Sequence, residues 1–598
     1  VRSTARLTAG AEQALLGLRV AALEAGAGGM SRHRAALVRY GKRPMAPDEV
    51  RFAADRYGLV ILQPWEILAL RALKLQRPDV VVLCYKCLSS TRSNEPSGQP
   101  SAAGMTFDEA QAAGETWFAH RAGTGERVEW DGFTEHWQMA VWNEDYRRRW
   151  VENVTEAVSG ELWDGVFADN DVFDDYYKLG SLAEVKDMAE IRAALGVLVD
   201  DAGEQLNAAG KLLIPNIAES RREPERWARH ARYGGGFEEH WLGWRPDAHF
   251  DELTCEQQAS ELHGPGIGIV RVNVGPVKEP GFLYAVAAFW VLGAGLGWAC
   301  TATEPDDYEG LPYRSEQSWD LGSPLGSPLA RDGGRARQFT SGWAAVNLGD
   351  TGPVSFEVPA GLVDGNGRQA PAIVTLAPRE GCIYTTAAVR DRARRRPPRG
   401  PLLAMNIRPT DTDPEWFELR GEARLENNVL RIPLRHDYAD GVSSPSFAGL
   451  GWTTRTRLDI PVREPSSEIL LQLRADNGEF VSIGKSGSAL LMRVQLLDER
   501  SDETLTFDPD RHHWWGIQLD TKGIRWMTSA DGVAWDVQRE LIDSGFPRRR
   551  VIVDLVGGHF EQDGAEEEAG IGVLEVVPNR DETATPAQPR PRLAAGLT

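Results

Sequence analysis

Between residues 34 and 303 the sequence alternates eight short apolar runs with longer amphipathic stretches, and this alternation narrows the fold more than any other feature. The runs are Ala35–Tyr40 (AALVRY), Gly58–Leu62 (GLVIL), Val80–Cys84 (VVVLC), Gly165–Ala168 (GVFA), Leu212–Pro215 (LLIP), Gly235–Glu239 (GGFEE), Ile267–Val272 (IGIVRV) and Leu296–Thr301 (LGWACT). Helical stretches at 146–158, 184–208, 223–232, 253–262 and 281–293 separate most of the later ones. Parallel strands need crossovers of that length, whereas antiparallel neighbours do not. Eight such units in this span fit an α/β fold, a (β/α)8 TIM barrel of roughly 250 residues. A doubly wound sheet is the alternative. It would carry a phosphate-binding glycine turn after an early strand, and Gly264–Gly268 and Gly293–Gly297 come late with the wrong spacing.

With 598 residues the chain exceeds what one core of roughly 250–300 residues can serve. The catalytic barrel is expected over 34–335, preceded by an Ala/Leu/Gly-rich tail or helix at 1–33. A small antiparallel β-domain and linker follow at 336–400, where the basic run Arg390–Gly400 (RDRARRRPPRG) reads as a solvated hinge. Residues 401–577 alternate apolar and polar positions between regularly spaced turns, the pattern of a β-sandwich, and 578–598 reads as a disordered tail. The net charge of −21 argues against a nucleic-acid partner, and no apolar run is long enough to cross a membrane. Cys84 and Cys87 form a lone CxxC on a strand, where residues three apart face opposite sides, so no metal or cofactor is expected. No signal-peptide pattern is visible at the start, and the location in the cell is unread. The 20 Trp residues suit stacking on pyranose rings but also fill large cores.

In such a barrel the chemistry sits where the strands end. Gln63, Trp65 and Glu66 follow the second run, and Tyr85 and Lys86 the third. Asp169, Asn170 and Asp171 follow the fourth, Asn216 and Glu219 the fifth. Glu238, Glu239, His240 and Trp241 close the sixth, Asn273 follows the seventh, and Thr303 and Glu304 the eighth. Carboxylates, amides and indoles dominate and histidine is scarce, unlike the His-x-His set of a metal amidohydrolase. Two acids suffice for glycosidic cleavage, one protonating the leaving oxygen and one attacking the anomeric carbon or activating water. Asp169 and Glu239 are the best pair. Each stands four residues after a glycine that opens its run, and period-two alternation puts both on the inner face of even-numbered strands. Glu238 has the opposite parity and competes only if the register slips by one. Asp171 is an alternative helix cap. Trp65, Glu66, Lys86, Trp142, Asn170, Asp171, Asn216, Glu238, Trp241, Asn273 and Glu304 are candidate substrate contacts, the indoles with packing as the competing role.

The segments RYGLVILQPWE (Arg56–Glu66), RPDVVVLCYKCLSS (Arg77–Ser90), WDGVFADND (Trp163–Asp171) and ARQFTSGWAAVNLGD (Ala336–Asp350) resemble TIM-barrel glycoside hydrolases, closest to the hypothetical glycosyl hydrolase family 15. The resemblance spans about residues 34–380 and implies a TIM barrel that hydrolyses glycosidic bonds of an oligo- or polysaccharide. By analogy with barrel glycosidases whose nucleophilic Asp follows strand four, Asp169 is the expected nucleophile and Glu239 the acid/base, leaning to retention. The C-terminal run GIRWMTSADGVAWDV (Gly523–Val537) and the final GIGVLEVV (Gly570–Val577) resemble a concanavalin A/laminin-G-like jelly roll, with Trp514, Trp515 and Trp526 as candidates for ring stacking. The competing reading is a carbohydrate-binding protein on a TIM-barrel scaffold that has lost catalysis.

Overall fold

The computed structural model describes residues 34–41, 45–95, 100–262, 265–273, 280–293, 298–303, 308–394, 418–427, 429–436, 438–443, 449, 452–460, 462–475, 477–497, 499–542, 544–548, 551–560 and 567–579. The expected tail at 1–33 and all but the first two residues of the one at 578–598 lie outside the described residues, as do most of the basic linker and Glu304; Pro578 ends a strand rather than opening a disordered tail. The start of that linker is helical rather than a hinge, within a helix at Ala387–Arg394. Contacts divide the chain into two units, one holding residues 1–43 and 52–399, the other 44–51 and 400–598.

In the first unit eight strands form one parallel sheet in sequential order: β1 (Ala36–Val38), β2 (Leu59–Leu62), β3 (Val81–Cys87), β4 (Gly165–Asp171), β5 (Leu212–Ile217), β6 (Gly235–Glu238), β7 (Ile267–Asn273) and β8 (Trp298–Thr303). A parallel bridge between Ala35 and Cys300 joins the last strand to the first, so the sheet is barrel-like and nearly closed. Every crossover carries a helix: α1 (Pro47–Arg56), α2 (Ile67–Gln76), α3 (Glu144–Ala157), α4 (Met188–Ala208), α5 (Arg226–His230), α6 (Glu252–Glu261) and α7 (Pro280–Gly293). Local sequence explains the helix starts. Asn143, Asp187 and Asp251 accept backbone N–H groups of the first turns of α3, α4 and α6, satisfying donors that a helix cannot pair itself. On α4 the buried residues Ile191, Leu195, Leu198, Val199 and Leu206 recur at helical spacing, which turns one stripe to the sheet.

The sheet's inner face is filled by Val38, Ile61, Leu83, Phe167, Ile214, Phe237 and Ile269. Gly165 and Gly235 open β4 and β6 for the same steric reason: a Cβ there would fall 2.2 Å from the Leu212 carbonyl oxygen and 2.1 Å from that of Ile267. Four-stranded and two-stranded antiparallel sheets follow the eighth strand, starting at Leu329, a few residues before the expected boundary. Phe339, Ala344, Val346 and Ile383 of this small sheet share a core with α7, which is why α7 is apolar on every side.

The second unit holds two seven-stranded antiparallel sheets with alternating burial. Trp526 reaches from one sheet to donate its indole N–H to the Ser482 carbonyl of the other at 2.9 Å. Trp515 and Trp526 are fully buried and offer no ring face to a sugar, while Trp514 is half-buried.

Candidate active site

Phe167 of β4 and Phe237 of β6 meet edge to face across the sheet interior, ring centroids 5.2 Å apart. The next inward position on β4 is Asp169, and the next after β6 is Glu239. Asn216, inward on the intervening β5, joins them. Its Nδ2 donates to Asp169 Oδ1 at 2.9 Å and to Glu239 Oε2 at 2.8 Å. The two N–H bonds of a planar amide diverge by about 120°, so the two carboxylate oxygens stand about 5 Å apart.

Each carboxylate has its own cage. Asp169 also accepts from the Tyr85 hydroxyl at 2.7 Å and from the Asn170 backbone N–H at 2.9 Å. Asn170 sits at φ +69°, a left-handed conformation asparagine tolerates, and the β4–β5 register shifts there. That bulge lets the Asn170 N–H turn back onto Asp169. Tyr85 is braced by Arg92, whose Nη2 donates to its hydroxyl at 3.2 Å. Glu239 accepts from the Tyr308 hydroxyl and, at 3.2 Å, from Arg271 Nη1. Tyr308 stacks on Tyr40 at 4.1 Å, and Tyr40 lies 4.8 Å from Tyr85, so phenols floor the site between the acids.

These cages drive the two acids apart. Burial and then the Glu239 charge push Asp169 above the ordinary carboxylate range, against its hydrogen bonds from Asn216, Tyr85 and Asn170. Burial also pushes Glu239 up, but Arg271, His240, Tyr308 and Asn216 outweigh it and hold Glu239 below that range. Burial, more than any charge beside it, pushes the neighbouring His240 below the ordinary imidazole range.

The other sequence candidates scatter. Asn170 holds the frame: its Oδ1 accepts from Tyr177 and its Nδ2 lies 3.2 Å from Cys87 Sγ. Asn273 donates to the Trp244 carbonyl and reaches His240 Nδ1, both at 3.1 Å. Trp65 is half-buried against the interior cluster. Trp142 is half-buried before α3, its carbonyl accepting from Arg147. The rest belong to the framework. Asp171 is fully buried outside the sheet interior, paired with Arg226 at 2.8 Å and His230 at 2.5 Å. Glu66 is buried against Arg39 and the Gln63 backbone N–H. Lys86 is buried and donates to the Ser101 carbonyl at 2.6 Å. Glu238 faces the helix layer, taking the His240 backbone N–H at 2.9 Å. Trp241 is fully buried in a core cluster, which leaves no ring face for a substrate. Arg271, Tyr308 and Tyr40 carry much of the site and were not singled out. Arg271 had a signal, the inward parity it shares with Ile269 two residues earlier on β7. Among the described residues no cluster of His, Cys, Asp and Glu is placed to hold a metal ion.

Comparison with known proteins fits this architecture to a family over the barrel segment. No curated protein matches the chain. Two solved structures are similar to parts of the chain. A glycosyl hydrolase family protein from Mycobacterium fortuitum is 13% identical over 29% of this chain and 99% of its own, with TM-score 0.23. An immunostimulatory antigen and pseudo beta-1,3-glucanase of Mycobacterium tuberculosis is 15% identical over 30% of this chain and 100% of its own, also with TM-score 0.23. Likeness at that score carries nothing about activity here. Residues 74–343, which include both carboxylates and the bridging amide, match the Hypothetical glycosyl hydrolase family 15.

Proposed function

We propose that the chain is a glycoside hydrolase on a (β/α)8 TIM barrel, with Asp169 and Glu239 as its catalytic pair and a concanavalin A-like sandwich as its second unit. One observation carries the reading: Asn216 Nδ2 lies within hydrogen-bond distance of both carboxylates. The resulting gap of about 5 Å is the spacing of retaining glycosidases, too narrow for the water that inverting enzymes hold between their acids.

The electrostatics favour roles opposite to those of the sequence analogy. A retaining site at rest needs one ionised carboxylate and one that keeps its proton. Glu239, beside Arg271, is the one held ionised, and Asp169, in a cage of neutral donors, is the one pushed up. Glu239 Oε2 attacks the anomeric carbon and forms a glycosyl ester, while the Asp169 proton passes to the leaving oxygen. Asp169, now a carboxylate, then takes a proton from water, and that water's oxygen displaces Glu239 and restores the original anomer. Activity accordingly falls at low pH as Glu239 gains a proton and at high pH as Asp169 loses one.

Aryl glycosides with good and poor leaving groups test the assignment. Asp169→Ala is expected to keep turnover on dinitrophenyl glycosides, which need no proton, and to yield a glycosyl azide of retained anomer with added azide. Glu239→Ala is expected to lose both kinds of substrate. The reverse pattern restores the roles of the analogy, and full activity in either variant removes the pair.

A further inference from the structure

Two partly exposed aromatic rings are each tied to a residue next to one of the carboxylates. Phe133 is 49% exposed, in the long insertion between β3 and β4. It packs edge-on to Tyr177 at 5.6 Å and to Trp130 at 6.2 Å, and these two stack face to face at 3.7 Å with Trp130 almost wholly buried. The Tyr177 hydroxyl donates to Asn170, the residue after Asp169. Burial, with the Asp169 charge next, pushes the Tyr177 phenol up, and its bond to Asn170 places its hydroxyl against the residue that follows Asp169. Trp244, 37% exposed, lies on a short hairpin after β6, between Gly243–Arg245 and Ala248–His249. It packs 4.7 Å from His240, the residue after Glu239, and edge-on to Phe250 at 5.5 Å. Asn273 at the end of β7 fixes both, holding the Trp244 carbonyl and the His240 ring.

An exposed Phe or Trp costs solvation free energy unless something covers it, and neither ring here is a loose loop tip. Each is held by buried aromatics and by hydrogen bonds running back to a carboxylate neighbour, the support a stacking platform needs in order to keep its orientation. Their faces match the apolar C–H faces of pyranose rings. The residues around them add amides, an imidazole and phenols, which bond hydroxyls, and the Arg221 guanidinium, paired with Glu219, lies 6.0 Å from the Trp244 ring centroid.

We propose that this site binds an internal stretch of a sugar chain, with Phe133 as the platform on the Asp169 side and Trp244 as the platform on the Glu239 side. The inference rests on the glycosidase reading for the identity of the ligand as sugar, and it adds that the enzyme cuts within a chain rather than trimming one residue from its end. With Asp169 donating to the leaving group, Phe133 holds the departing portion and Trp244 the portion that becomes esterified.

Calorimetry with reduced di- and hexasaccharides of the cello-, malto-, laminari- and chito-series tests it on the full chain carrying Glu239→Gln, so that nothing is consumed. At least one hexasaccharide is expected to bind about tenfold or more tighter than its disaccharide, and adding Phe133→Ala or Trp244→Ala is expected to remove about tenfold of that chain-length advantage. Circular dichroism checks that the variants fold. Equal affinity for both lengths, an unchanged length advantage in both platform variants, or no binding in any series overturns the proposal. Early products of the wild-type chain on the hexasaccharide that binds best separate this from the catalytic reading. Fragments of intermediate length support both, release of single terminal sugars overturns the platforms alone, and tight length-dependent binding without any cleavage keeps the platforms and sinks the catalytic reading.

Discussion

Glu238 gives the sharpest energetic forecast. It is 3% exposed, it accepts the His240 backbone N–H, and burial pushes its carboxyl from 4.5 up to about 7, with Glu239 and Glu219 adding to the rise and the His240 N–H and Arg221 opposing it. In the unfolded chain the same group titrates near 4.5. Between those values the native state binds more protons than the unfolded one, so stability is complete below the unfolded pKa and is lost as pH rises through the folded one. At about 1.36 kcal/mol per pH unit the loss reaches about 3 kcal/mol once Glu238 is fully ionised. Glu238→Gln cannot ionise, and its amide oxygen still accepts the His240 N–H. The variant is therefore expected to exceed the wild type by up to about 3 kcal/mol near pH 8 and to match it near pH 4. Urea unfolding followed by helical far-UV ellipticity reads this directly, because the described helices all lie in the barrel-bearing unit, apart from the first residues of α1. A stability difference that stays constant across this pH range would refute the reasoning.

Asn216→Ala removes the donor shared by the pair, and kcat is expected to fall about a hundredfold to a thousandfold with the fold intact, read on any aryl glycoside the wild type cleaves. Asp171→Ala leaves the Arg226 charge buried without its carboxylate and is expected to cost about 3–5 kcal/mol, measured by the same urea titration. Since Arg226 and His230 overcome burial to hold Asp171 below the ordinary carboxylate range, its contribution is present at neutral pH and lost as pH falls through its folded value. The wild type should thus lose this part of its advantage over the variant in acid.

The eight strands and the five helices from α3 onward were legible because apolar runs and helix-length spacers carry their period in the sequence, whereas α1 and α2 were not singled out. The inward direction of Asp169 and Glu239 followed from counting in twos from Gly165 and Gly235, glycines that the neighbouring strand's backbone requires. Less was legible where a strand outran its apolar run. The third run ends in sequence at Cys84, but β3 continues to Cys87, and the pleat then sends Tyr85 to the site and Lys86 to the outer layer. Trp241 was the indole singled out after the sixth run, but the chain's turn into the hairpin after β6 buries it and exposes Trp244, which was not singled out. Tyr308 joins Glu239 from a segment with no regular structure, and Arg92 and Tyr177 reach Tyr85 and Asn170 from insertions whose path no periodicity encodes. The bridging role of Asn216 depends on a distance between strands, which composition and spacing do not contain.

Covalent trapping tests the central claim most directly. A fluorosugar whose enzyme ester forms faster than it hydrolyses, built on the sugar the panel identifies, is incubated with the wild-type chain and the labelled peptide is sequenced by mass spectrometry. One sugar attached at Glu239 is the result the paired-carboxylate account predicts. Attachment at any residue other than this pair, or turnover that inverts the anomer without any ester, would contradict it.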